Sequence, residues 1–191
     1  MQLFLGLLAL IAMCSGWVAL RGYRQITAIR EIEALGGYVA QKPVGAPWLR
    51  KIIGERQMRM FDKVTMVSFN GPQVTNTGIQ HLRGLSSLKQ LSLNQTQVTD
   101  AGLQNLCGLI ALEFLNLDQT QVTDAGLERI RSLTALRHLT LKNTQVTDAG
   151  LQHLRGLSAL ETLWLDDTQV THVGVTQLQQ ALPNLVIRPQ R

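Results

Sequence analysis

The chain has 191 residues, enough for one domain or one domain with an appendage. Hydrophobic residues make up 45% and charged residues 16%, which excludes a disordered or collagen-like chain and is sparing in charge for a soluble domain. The net charge of +5 would suit nucleic acid or an anionic membrane, and its placement decides between them: residues 1–20 carry none, residues 21–63 hold nine Lys/Arg against four acids, and residues 64–191 hold nine of each.

Leu3 to Leu20 is an 18-residue uncharged run rich in Leu, Ala and Ile. As a helix it reaches about 27 Å, close to the roughly 30 Å of a bilayer core. Trp17 and Tyr23 sit near one end, and Arg21 and Arg24 follow directly, as at a membrane interface. Residues 1–20 are therefore read as a transmembrane anchor, with a cleaved signal peptide as the alternative. Against cleavage, no Lys or Arg precedes the run; for it, Cys14, Ser15 and Gly16 are small. A buried soluble helix is disfavoured, because a run apolar on every face has little to pack against in so small a chain. Arginines follow the span and none precedes it, so the positive-inside rule expects the repeats in the cytoplasm. A signal peptide, or a start codon further upstream, would instead place them outside.

Residues 21–63 form a basic segment that leads into the remainder and caps it. Ile26, Ile29, Ile32 and Leu35 recur at helical spacing, and Gly36-Gly37 ends that helix. Tyr38-Val39-Ala40 reads as a short strand, and Lys42–Pro47 as a loop. From Pro47 a second short helix is expected to turn Trp48, Leu49, Ile52 and Ile53 toward a core and Arg50, Lys51 and Arg56 toward water.

From Val64 to the end the sequence repeats every 24 residues. Leu88, Leu112, Leu136 and Leu160 show the spacing, as do Leu91, Leu115, Leu139 and Leu163, and Gly102, Gly126, Gly150 and Gly174. A degenerate first copy runs from Val64 through Val67, Phe69, Val74, Gly78, Ile79, Leu82 and Leu85, and Leu185-Val186-Ile187 restarts the pattern one residue late. Within a copy, L-x-x-L-x-L alternates like a strand. Thr99-Asp100, Thr123-Asp124 and Thr147-Asp148 offer N-cap oxygens, and Leu103, Leu106 and Leu109 lie at helical spacing. A strand and a helix in 24 residues require tight turns, hence a solenoid coil. In the fourth copy His172 replaces the aspartate, and a weaker helix start is expected there.

These copies, L-x-x-L-x-L-x-x-T-x-V-T-D-x-G-L-x-x-L-x-x-L, resemble leucine-rich repeats. The T-D-x-G-L variant looks most like the repeats of small membrane-anchored bacterial proteins and is similar to those of F-box substrate receptors, although no F-box precedes it. The resemblance implies an α/β fold: a right-handed solenoid, with short parallel strands on its concave face and helices on its convex face, behind an N-terminal transmembrane helix. Thr96, Thr120, Thr144 and Thr168 stand where the family usually has asparagine, and with Asp100, Asp124 and Asp148 they are read as structural repeat positions.

Outward strand positions line the concave face: Met66, Gln90, Phe114, His138 and Thr162 in one row, Ser68, Ser92, Asn116, Thr140 and Trp164 in the next, then Asn70, Asn94, Asp118, Lys142 and Asp166. Phe114 and Trp164 have no core reason to be aromatic there, and aromatics are enriched at binding hot spots. Phe114, His138, Trp164, Asn116, Asp118, Lys142 and Asp166 are therefore the candidate partner-binding residues. On the helix side, Arg83, Arg131 and Arg155 share one repeat position, broken by Cys107, and read as a solvated stripe. No nucleophile–base pair, phosphate loop or metal-ligand spacing is present, and His81, His138, His153 and His172 are scattered. The reading is a non-enzymatic, membrane-anchored module that binds a protein partner, with no cofactor, metal, nucleic acid or small-molecule substrate expected. A self-associating envelope protein is the alternative.

Overall fold

A computed structural model describes residues 22–54, 58–59 and 61–188. The expected membrane span, Leu3–Leu20, lies outside them. Among the described residues no helix is long and apolar enough to cross a membrane.

Residues 22–34 form helix α1. Ile29 and Ile32 are buried and Leu35 packs against the core, as their spacing predicts. Gly36, at φ +76°, ends the helix. Its N–H donates to Glu33 O (3.0 Å) and the Gly37 N–H to Ile32 O (2.9 Å), the paired bonds of a Schellman turn. A side chain at Gly37 would collide with Ile32 and Phe69.

Seven strands then lie side by side in chain order. β1 (Tyr38–Lys42) runs antiparallel to β2 (Lys63–Asn70). From β2 onward every neighbour is parallel: β3 (Gln90–Asn94), β4 (Phe114–Asn116), β5 (His138–Thr140), β6 (Thr162–Trp164) and β7 (Val186–Arg188). The 24-residue period is the pitch of the coil: Leu91, Leu115, Leu139 and Leu163 are successive cross-strand partners and fully buried. The final fragment departs from expectation in one respect. Leu182 and Leu185 are buried one place late, but Ile187 pairs with Leu163, so the slip stays in the turn and the strand register is kept.

Opposite the sheet, the helices are brief: α3 (Asp100–Leu103), α4 (Asp124–Ile130), α5 (Asp148–Leu151) and α6 (His172–Ala181). The first coil has only a 3-10 turn, Gly78–Leu82, and α3 and α5 tighten into 3-10 turns at Gln104–Leu106 and Gln152–Leu154. A coil of 24 residues has no length for more, and the tighter turn brings the leucines of each copy onto one buried stack.

Shortly after β3, β4, β5 and β6 the chain turns at a residue with left-handed backbone: Gln95 (φ 58°), Gln119 (54°), Asn143 (53°) and Asp167 (58°). The first three donate their N–H to the next coil, to Asp118 O, Lys142 O and Asp166 O, so the inter-coil ladder continues around the corner. The following threonine closes the turn. Thr96, Thr120, Thr144 and Thr168 donate their hydroxyls to Leu93 O, Leu117 O, Leu141 O and Leu165 O at 2.6–2.8 Å. That is one hydrogen bond from each hydroxyl, satisfying a carbonyl at the end of the strand. Left-handed backbone costs a non-glycine residue roughly 1–2 kcal/mol, and asparagine least. Gln119→Gly is expected to raise stability in urea denaturation by about 0.5–1 kcal/mol, once the entropy cost of glycine is deducted, and Asn143→Gly to change it less.

Helix α2 (Pro47–Ile53) corrects the sequence reading of the cap. Trp48 and Ile52 are exposed, at 63% and 74%, while Arg50 is buried. The guanidinium of Arg50 pairs with Asp62, which is also buried, and donates to Val44 O (3.3 Å). Asp62 in turn accepts from Val44 N–H (3.0 Å). An ion pair bridging α2, the preceding loop and the start of β2 turns Arg50 inward and leaves Trp48 and Ile52 outward, while Lys51 is exposed as expected; the side chains of Leu49 and Ile53, and Arg56, lie outside the described residues.

Candidate functional site

The outward face of the sheet has the rows expected from the repeat. Met66, Gln90, Phe114, His138 and Thr162 are cross-strand neighbours, and Ser92, Asn116, Thr140 and Trp164 form the row beside them. Phe114 and His138 sit directly opposite each other, with ring centroids 6.4 Å apart and planes at 51°. Trp164 approaches His138 on the diagonal, also at 6.4 Å and at 50°. The three rings make one half-buried aromatic row across β4, β5 and β6. His138 Nδ1 is buried and has no hydrogen-bond partner among the described residues.

The other four candidates are engaged in holding the face together. Asn116 Oδ1 accepts from Asp118 N–H (2.8 Å). The Asp118 carboxylate accepts from the Thr140 hydroxyl and from Lys142 N–H (2.8 Å). The Lys142 ammonium pairs with Asp166 at 2.9 Å, both ends partly in water. Among the described residues the seven positions thus divide into an aromatic row whose side chains make no such bond and a polar set in which Asn116 braces its own turn while Asp118, Lys142 and Asp166 staple adjacent coils.

The aspartates of the T-D pairs do something different from the capping assigned to them. The helix N-caps are the threonines: Thr123, Thr147 and Thr171 accept from Ala125 N–H, Ala149 N–H and Val173 N–H at 3.2–3.3 Å. Each aspartate reaches the next coil instead. Asp100 accepts from Thr123 N–H (2.8 Å) and its hydroxyl (2.7 Å); Asp124 and Asp148 do the same for Thr147 and Thr171. In the first coil Asn76 takes this place. It accepts from Thr99 N–H (3.0 Å), but its amide donates to the Thr99 hydroxyl oxygen (2.9 Å), and Thr99 makes no cap bond. His172 consequently does not weaken the last helix start: Thr171 still caps it, and α6 is the longest of the repeat helices. The glycine of each T-D-x-G unit is explained by the same contact, since a side chain at Gly102, Gly126, Gly150 or Gly174 would strike Asn76, Asp100, Asp124 or Asp148.

A charge ladder that sequence reading missed precedes the strands. Lys89 pairs with Glu113 at 2.6 Å, and Arg137 pairs with Glu161. The signal was present in the sequence as alternating sign at 24-residue spacing. The hydrogen bond from Lys89 holds the Glu113 carboxyl below its ordinary value near 4.5, opposed by slight desolvation and aided by the charges of Lys89 and Arg137. A carboxyl with a lowered folded pKa stabilises the fold above its unfolded value and loses that contribution as the pH falls through the folded one. Glu113 is therefore expected to titrate below pH 4.5 by carbon-detected NMR, and Lys89→Met to move its midpoint upward.

Among the described residues, two roomy pockets lie away from the aromatic row. One, of about 210 Å³, lies between α1 and the β1 edge and is lined by Ile29, Arg30, Glu33, Gln41 and Arg59. The other, an open groove of about 580 Å³, lies at the end where the parallel strands begin and carries Lys42, Lys63 and Lys89. No group of three His, Cys, Asp or Glu side chains is disposed to hold a metal ion among the described residues.

Comparison with known proteins agrees with the repeat geometry. Residues 84–107 match the family model described as "Leucine Rich repeat". No curated protein sequence matches the chain. Among solved structures, the chain is similar to internalin C2 of Listeria monocytogenes, with 28% identity over 65% of this chain and 70% of that one, at a TM-score of 0.40. It is similar to a leucine-rich-repeat protein of Leptospira interrogans, with 22% identity over 58% of this chain and a TM-score of 0.47, and spans only 27% of that protein's length. It is similar in fold to the leucine-rich-repeat ectodomain of the receptor kinase SOBIR1 of Arabidopsis thaliana, with 16% identity over 86% of this chain and 90% of that one, at a TM-score of 0.51.

Proposed function

We propose that this leucine-rich-repeat chain is a non-enzymatic, membrane-anchored module whose outer sheet face binds a protein partner. Leucine-rich-repeat folds generally mediate protein–protein interaction. The observation that carries the reading to a place on this chain is the aromatic row Phe114–His138–Trp164 with the unpartnered Nδ1 of His138 at its centre. A buried nitrogen without a partner is costly, and a polar group of a bound protein set between two aromatic faces would supply one. Anchoring rests on the apolar run Leu3–Leu20 and the arginines that follow it.

The face is small. Seven strands spaced about 4.8 Å apart are roughly 30 Å wide and, averaging about four residues, roughly 14 Å tall, on the order of 400 Å² against the ~800 Å² each partner of a standard complex buries. Binding by this face alone is accordingly weak, or is made strong by several copies on one membrane or by a partner that also grips a flank. Cross-linking in intact membranes with wild type and with the Phe114→Ala/Trp164→Ala pair tests the site. The pair is expected to fold normally and to lose the cross-linked partner; an unchanged set of partners would overturn the assignment.

The alternative, self-association, is supported by the edge position of β7, which among the described strands pairs with β6 alone and leaves Val186 54% exposed. A monomer at high concentration by light scattering would remove it.

A further inference from the structure

Six of the nine exposed large apolar side chains among the described residues lie between positions 23 and 61: Tyr23, Tyr38, Val44, Trp48, Ile52 and Phe61. Four of them lie on the segments that the buried Arg50–Asp62 pair ties together. Val44 and Phe61 flank the buried Arg50–Asp62 pair, and Trp48 and Ile52 stand on the outward side of the helix that carries Arg50. The ion pair holds α2 with Trp48 and Ile52 turned outward, which makes this an apolar corner of the fold. Around it the cations are exposed as well. Lys42 and Lys63 are direct cross-strand partners, a like-charge pairing that costs stability unless an anion lies over it. Both line the open groove beside Val44, and Lys51 projects from the helix between Trp48 and Ile52 in sequence.

The position of this corner relative to the apolar run selects its occupant. Gln25, five residues beyond Leu20, donates its amide to Asp62 O at 2.5 Å. The first turn of α1, which follows Leu3–Leu20 in sequence, is therefore held beside the residue that anchors α2. From this juxtaposition we propose that α2, with Val44 and Phe61, is a membrane foot: Trp48 and Ile52 enter the bilayer interface while Lys42, Lys51 and Lys63 meet anionic headgroups. Tryptophan beside lysine on a short helix is the composition that such interfaces favour. The foot would hold the solenoid at a set angle to the membrane, which a single span cannot do. The inference rests on the reading of Leu3–Leu20 as a membrane span.

The test uses the full chain reconstituted in phosphatidylcholine vesicles with and without phosphatidylglycerol, with acyl-chain-brominated lipid as the quencher. Trp17→Phe/Trp164→Phe leaves Trp48 as the reporter, and Trp48→Phe/Trp164→Phe leaves Trp17. Trp48 emission is expected to be quenched in the anionic vesicles. Quenching should weaken without phosphatidylglycerol, weaken with Lys42→Gln/Lys63→Gln, and be mostly lost with Ile52→Asp, an exposed change that leaves the core intact. Trp48 unquenched while Trp17 is quenched would overturn the foot and leave the span standing. Both unquenched would overturn the foot and the span together. A concentration-dependent change in Trp48 emission without lipid would overturn the foot in favour of a second copy of the chain on the same face.

Discussion

Gly126→Ala is expected to destabilise the protein by about 3 kcal/mol, although alanine for glycine inside a helix ordinarily gains about 1 kcal/mol. The added methyl group has nowhere to go. It would strike the Asp100 carboxylate and sit 2.8 Å from Val122 Cγ1 and 3.0 Å from Leu103 Cδ1. Moving Asp100 aside sacrifices its two bonds to Thr123, which tie the first full coil to the next. The loss should be coupled to that carboxylate: in a double-mutant cycle with Asp100→Ala, the pair should cost clearly less than the sum of the singles. Gly156→Ala is the control, because a side chain there meets nothing within 4 Å. Urea denaturation of the five proteins decides the matter, and a Gly126→Ala variant as stable as wild type would show that the carboxylate is not held where the coil places it.

Arg50→Met is expected to cost about 3–5 kcal/mol, the usual consequence of leaving a buried charge unpaired. Asp62 would then keep its bond from Val44 N–H but face an apolar thioether in place of a guanidinium. Replacing both partners, Arg50→Met/Asp62→Leu, should recover much of the loss, since two apolar groups of similar size need no mutual charge. Thermal denaturation separates these outcomes. A loss below about 1 kcal/mol for Arg50→Met, the range of solvent-exposed pairs, would mean that water reaches Asp62.

The repeat was legible because a solenoid uses each residue type for the same task in every coil. Leu91, Leu115, Leu139 and Leu163 occupy one buried row, and their spacing alone gave the strand register and therefore the rows of the outer face. Phe114, His138 and Trp164 could be placed side by side for that reason. The role of the aspartates was not legible. A Thr-Asp pair before a helix is an ordinary capping signal, and nothing local tells that the carboxylate turns toward a threonine 23 residues ahead. The left-handed corners at Gln95 and Gln119 were invisible for a related reason: glutamine carries no turn preference, and the conformation is imposed by the next coil accepting its N–H.

The cap shows the same division most plainly. By itself the sequence determined that Ile29, Ile32 and Leu35 lie on a helix ended by Gly36-Gly37, because periodicity and the φ preference of glycine are local. It equally determined the 24-residue coil, the parallel sheet and the concentration of positive charge in residues 21–63. Only the tertiary structure decided which side of Pro47–Ile53 faces inward. Burial there is set by whether Arg50 finds Asp62 twelve residues later, an interaction that pattern cannot weigh against two apolar side chains. Amphipathic spacing tells that a helix has two faces; which one is buried depends on what the neighbouring elements leave unsatisfied.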